Sequence, residues 1–301
     1  MKTLQRASLL NFGKYRYLKA STALIAAAIL AYVLIPVDGE RYGGTWFGYT
    51  LGIVAALIVL LLLWFGIAKR RTPPVGKTEG VAPAVPHHGS EAWRLGGRLQ
   101  GELSRHIYLG AALPVLATLH TGFQFGWNVH MLAYVLLLVV VVSGFYGVYA
   151  YLNYPRLLTQ NMGDDTLRGL VQKIAELDEW ARVHAHGLPD AVNEWVLKAR
   201  RETRLGGSLW QQLRGKQRNC PTSAAVRQLM KLGAENSKSE QSKLLRDLYA
   251  VLLRKEKLVL RARYEIKLKA RLQVWLYLHV PLSVAMLVAL FSHVVSILFY
   301  W

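Results

Sequence analysis

The chain has 301 residues, a formal net charge of +19 and 53% hydrophobic residues. Its mean hydropathy is positive, which excludes a single water-soluble domain of ordinary composition. Its one cysteine, Cys220, excludes an internal disulfide, a thiolate-bound iron–sulfur cluster and a CxxCH haem attachment.

The apolar residues fall in five blocks nearly free of charge: 21–36, 46–68, 107–127, 131–152 and 274–301. Each is close to or above the roughly 17–25 residues with which a helix crosses a bilayer. The sequence therefore predicts an all-α integral membrane protein with five transmembrane helices. Lys2, Arg6, Lys14, Arg16 and Lys19 precede the first block as they would a signal peptide. That block runs into Pro36 and Asp38-Gly39-Glu40 without an A-x-A-like cleavage site, so it reads as a retained helix. With the second block it makes an N-terminal hairpin over 1–68. A cytoplasmic linker over 69–103 follows, extended by its run of Pro and Gly from Pro73 to Gly89. The third and fourth blocks occupy 104–152, and the fifth lies in 272–301.

Between them, 153–271 reads as a basic helical insert with 24 basic and 13 acidic residues, a net of +11. Asp164-Asp165 can cap a helix bearing Leu167, Leu170, Ile174 and Leu177, and Pro189-Asp190 and Pro221-Thr222 can open others. From about Ser239, the apolar positions Leu244, Leu248, Val251, Leu252 and Leu258 recur at helical spacing and lead towards the last block. No GxGxxG, P-loop or flavin fingerprint appears.

With the N-terminus cytoplasmic, the N-terminal arm, 69–105 and 156–271 lie inside and carry 5, 7 and 24 basic residues. Only Arg41 is left outside, a split of 36 to 1 that places the C-terminus on the outer side. The high charge thus follows from topology and attraction to lipid headgroups, and nucleic acid is not implied.

Four of the nine histidines form two pairs of equal spacing: His106 and His120 in the third block, His279 and His293 in the fifth. Fourteen residues of helix return to nearly the same face roughly 21 Å along the axis. The two blocks run parallel, with the fourth returning between them, so His106 comes level with His279 on the inner side and His120 with His293 on the outer. Two facing imidazoles at each of two depths suit two six-coordinate haems. The alternative for any one of them is a hydrogen bond to a neighbouring helix, but ionisable groups in a membrane are costly and default to function.

Arg105, beside His106, is a candidate partner for a haem propionate, with a snorkelling arginine as the alternative. Arg41 is the equivalent candidate outside. Gly110 and Gly122 can let a porphyrin approach the backbone or simply pack. His130 reads first as interfacial packing, then as a contact of the outer haem, a quinol site or a competing ligand. His184-Ala185-His186 with Asp190, and His87-His88, lack a full metal-ligand set and read as solvated. Trp46, Trp127, Tyr300 and Trp301 read as interfacial belts.

The runs Arg105-His106-Ile107-Tyr108-Leu109-Gly110, Leu119-His120-Thr121-Gly122, Trp275-Leu276-Tyr277-Leu278-His279 and Ser292-His293 resemble the haem-bearing helices of ferric-reductase-like transmembrane domains. They also resemble those of the related membrane subunit of the methionine sulfoxide reductase system, and their register is that of respiratory b-type cytochromes. The resemblance covers 104–152 and 272–301, about a quarter of the chain. It implies haem-ligand roles for His106, His120, His279 and His293. The chain departs from the pattern in having no flavin and nicotinamide reductase motif and in carrying the long insert.

The expectation is a di-haem b-type cytochrome of a bacterial inner membrane, the electron-transfer subunit of an oxidoreductase system. It would hold two non-covalent bis-His haems, with quinol as a further candidate. Its partners would be membrane lipids, a cytoplasmic flavoprotein or iron–sulfur protein, and an outer-face cytochrome or reductase. A stand-alone quinol-linked or metal-ion reductase acting at the outer haem, and a haem-free anchor recruiting partners through its insert, are the alternatives.

Overall fold

The computed structural model describes residues 9–36, 42–71, 91–163, 165–215, 217, 219–235 and 242–299. These are helical, with no strand among the described residues. After a short 3-10 turn at Leu9–Asn11 come α1 (Arg16–Leu34), α2 (Trp46–Arg71), α3 (Glu91–Thr121), α4 (Val129–Met162), α5 (Leu167–Ala185), α6 (Asp190–Glu202), α7 (Leu209–Arg214), α8 (Pro221–Glu235) and α9 (Ser242–Phe299). The chain divides into two compact units, 1–148 with 278–301, and 149–277.

Among the described residues, α1, α2, α4 and α9 contain stretches long and apolar enough to cross a membrane. Little of these stretches is buried within the protein. Ile53, Leu57, Val142 and Phe291 are all exposed, an outward apolar surface that water tolerates poorly and lipid tolerates well. The third block differs from its expected extent. Its helix stops at Thr121, where Gly122 takes the left-handed conformation (φ 59°), and Phe123 follows with φ 63°. The aromatic run 123–127 that looked helical by composition is a loop. In the opposite direction α3 begins at Glu91, so the later part of the 69–103 linker is helix.

The first unit is held by a core in which Leu51 and Ile58 of α2 meet Leu113, Leu116 and Leu119 of α3, with Leu137 of α4 and Met286 of α9 joining them. Polar bonds fix the register. The Ser21 hydroxyl donates to the Tyr108 carbonyl (2.8 Å), tying α1 to α3, and Thr118 Oγ1 meets the Tyr134 hydroxyl (2.9 Å), tying α3 to α4.

The second unit is a helical cluster with its own core. Val192, Val196 and Ala199 of α6 share one helical face and meet Ala225 and Leu229 of α8 and Leu248 and Leu252 of α9. Asp164 lies outside the described residues. The cap of α5 is Thr166, whose side chain accepts from the Gly169 amide, while Asp165 pairs with Lys173 and Arg261. Helices α6 and α8 start at Asp190 and Pro221, where the Pro-Asp and Pro-Thr signals placed them. In α9, Lys255 is fully buried and donates to Asp178 Oδ1 (2.5 Å) and to the Ala199 carbonyl (2.8 Å). Arg263 donates to the Arg204 carbonyl and to Gln217 Oε1 (both 2.7 Å).

Candidate functional site

Helix α3 carries His106 and His120, and α9 carries His279 and His293. All four lie in the first unit, and in all four Nδ1 is the nitrogen the protein holds. His106 Nδ1 donates to the Leu62 carbonyl of α2 (3.3 Å), and its ring lies 5.1 Å from that of Phe65. His120 Nδ1 donates to the Gly48 carbonyl (2.7 Å). His279 Nδ1 meets Ser143 Oγ (2.7 Å), whose own hydroxyl donates to the Val140 carbonyl (2.8 Å). His293 Nδ1 is bonded to Nδ1 of His130.

These bonds decide tautomers. A carbonyl only accepts, so Nδ1 of His106 and of His120 carries the proton. Ser143 Oγ lies within bonding distance of both the Val140 carbonyl and His279 Nδ1. In the neutral form of His106 and of His120 the lone pair then falls on Nε2, the nitrogen that a ligating histidine presents when a carbonyl holds the other.

The structure brings the histidines into two sets. His106 on α3 and His279 on α9 make one pair by position, both within the first unit. At the other set the rings of His120 and His293 stand 6.0 Å apart with planes at 86°, and His130 lies 4.5 Å from His293. His130 thus belongs to this set.

Glycines that sequence reading passed over shape the space around His120. A Cβ on Gly52 would stand 2.7 Å from its Cε1, and one on Gly43 3.3 Å. Gly48, one turn before Gly52, supplies the carbonyl. The signal was present as Gly44, Gly48 and Gly52 at four-residue spacing, the small-residue face that lets membrane helices approach. Of the two glycines singled out from sequence, Gly110 faces Leu62 at ordinary contact distance and Gly122 ends α3. Against His279 the close glycine is Gly144.

Arg105 pairs with Glu102 three residues earlier on α3. Its Nε is buried without a hydrogen-bond partner, as is the hydroxyl of the adjacent Ser104. One donor of the guanidinium is therefore uncommitted beside His106. Arg41 and His87-His88 lie outside the described residues. In the second unit, His184 stacks on Trp180 (3.5 Å) and bonds its carbonyl.

Among the described residues no group of three or more His, Cys, Asp or Glu converges on one point. A metal held at either set would have to bring most of its ligands with it, as a porphyrin iron does. The residues present fit such a group: one pair of imidazoles per set, glycines beside His120 and His279, and an uncommitted arginine donor for an acidic substituent. Comparison with protein-family models, with curated proteins and with solved structures returns no match.

Proposed function

We propose that this chain is a membrane electron-transfer protein holding two b-type haems, one between His106 and His279 and one between His120 and His293. The observation that carries the reading is the shared arrangement of these imidazoles: each is held at Nδ1, and in His106 and His120 a carbonyl holds it, which leaves Nε2 to carry the lone pair. The separation of 6.0 Å between His120 and His293 agrees with it. With metal–imidazole bonds of about 2 Å, two rings ligating one ion through opposite nitrogens stand with centroids roughly 6 Å apart. His130, at 4.5 Å from His293, is too close for that role and instead orients its neighbour.

When bound, a haem supplies reversible one-electron chemistry. The chain's part is to hold the rings in one tautomer, keep water out and set the distance between the two sites. Fourteen residues of α3 and of α9 separate the sites by roughly 21 Å along each helix, most of a hydrocarbon core of roughly 30 Å. Arg105 would offer its Nε to a propionate of the first haem. In this reading α3 is a fifth crossing, its short apolar stretch completed by the aromatic loop after Thr121. The basic part 153–271 is cytoplasmic and docks an acidic flavoprotein or iron–sulfur partner, and the acceptor, a cytochrome or reductase, lies on the outer face of a bacterial inner membrane. Quinol remains a candidate donor.

A second reading rests on the same bonds, since each histidine also bridges two helices: α3 to α2, and α9 to α4. That is what a haem-free anchor would use them for. The deciding measurement is the reduced-minus-oxidised spectrum of the purified protein, with haem counted per chain. Two haems in the wild type, falling to one in His106→Ala and in His120→Ala, are expected. No Soret band from cells with ample haem would leave the anchor.

A further inference from the structure

Residues 203–215 of the second unit show an exposed apolar pair on a well-braced mount. Helix α7 is closed at its start by a reciprocal box, in which Ser208 accepts from the Gln211 amide and the Gln211 side chain accepts from the Ser208 amide. Gly215 ends it in the left-handed conformation (φ 68°). The flanks are pinned to α9: Arg263 holds the Arg204 carbonyl and the Gln217 side chain, and a Cβ on Gly215 would stand 2.7 Å from Lys267 Cδ. Fixed in this way, α7 presents Leu209 at 54% exposure and Trp210 at 73%. Arg204 and Arg214, at either side, are exposed as well.

In water such a pair gains nothing by being held out. Its place along α9 supplies a reason. Lys267 and Arg263, the α9 residues that pin it, precede Val274, where the apolar block of α9 begins, by two to three helical turns, roughly 10–16 Å. Roughly 5–8 Å of headgroup layer covers each side of a hydrocarbon core, and interfacial helices seat their apolar face about 5–10 Å into that boundary. We propose that α7 is an interfacial anchor: Leu209 and Trp210 seat in the headgroup layer of an anionic bilayer, and Arg204 and Arg214 pair with lipid phosphates. Tryptophan is the residue favoured at that depth, and a basic residue near an anionic surface adds about 1 kcal/mol. This inference needs the membrane crossing of α9 but not the haems.

The test uses the full chain in nanodiscs, with Cys220→Ala removing its only thiol and a nitroxide attached to Leu209→Cys. The comparison site is Met230→Cys, comparably open to solvent on α8, a helix that packs on 245–252 of α9, roughly 33–43 Å from Val274 along the helix. In discs with a third of phosphatidylglycerol, the ratio of oxygen to aqueous nickel-chelate accessibility at 209 should be several-fold that at 230. It should fall in Arg204→Gln/Arg214→Gln and in discs of phosphatidylcholine alone. A label at 209 as open to nickel as that at 230 overturns the proposal. So does a label shielded from oxygen and nickel alike, which would place a protein surface on α7 instead.

Discussion

At the scale of the residue, the histidines are defined by what holds them. His120 has its Nδ1 proton committed to the Gly48 carbonyl and its ring against Gly52. Adding one methyl tests whether that placement matters. In Gly52→Ala the new Cβ would fall 2.7 Å from Cε1 and 2.9 Å from Nδ1 of His120, so the ring must turn and lose the bond. Gly66, on the same helix, has nothing within 4 Å of such a Cβ. In the function proposed above, Gly52→Ala is expected to lose one of two haems, as is expected of His120→Ala, and Gly66→Ala neither, both read from the reduced-minus-oxidised spectrum. Loss in both variants would point to a general failure of α2.

Helices carry a different lesson. That His106 and His120 share one helix and His279 and His293 another was legible because helical period and spacing are properties of a continuous stretch of sequence. Hydropathy misjudged the end of α3 because Phe123, Phe125 and Trp127 score as membrane residues, whereas Gly122 and Phe123 adopt positive φ. The partners of the rings were not legible, since Gly48 and His120, or Ser143 and His279, lie 72 and 136 residues apart, and only tertiary packing sets that register. The pair tying α5 to α9 was equally hidden. Burial pushes the Asp178 carboxyl up from its ordinary 3.8 against the pull of Lys255, and burial pushes the Lys255 amine down from 10.5 against the pull of Asp178. Desolvation therefore outweighs attraction at both. Lys255→Met, which strands a buried carboxyl, should cost about 3–5 kcal/mol, and adding Asp178→Asn should recover most of it, measured by hydrogen exchange of α5 and α9. The sign with pH follows. A raised Asp178 binds its proton more tightly when folded, so stability falls as pH climbs from 3.8 through the raised value. The wild type should lose protection over that range relative to Asp178→Asn, and equal slopes would show Asp178 to be solvated.

For the whole molecule the governing fact is the division of charge, 36 basic residues against one across the expected bilayer. A split of this size biases orientation during insertion, and in the function proposed above orientation would decide which haem meets which partner, since the two histidine sets would face different compartments. Reversing the chain would bring His120 and His293 to the cytoplasm and send the basic unit outside, away from any cytoplasmic donor. Arg200, Arg201, Arg227 and Arg246 are exposed on the second unit and offer trypsin cleavage sites there. In sealed vesicles with the cytoplasmic face outward, trypsin should cut within 149–277 and abolish reduction of the haems by an added soluble donor. The haem optical bands should survive, because all four histidines proposed as ligands lie in the first unit. Vesicles of the opposite sidedness should protect the unit until they are opened. Cleavage only from the opposite side would invert the assignment and make His120 and His293 the entry site for cytoplasmic electrons.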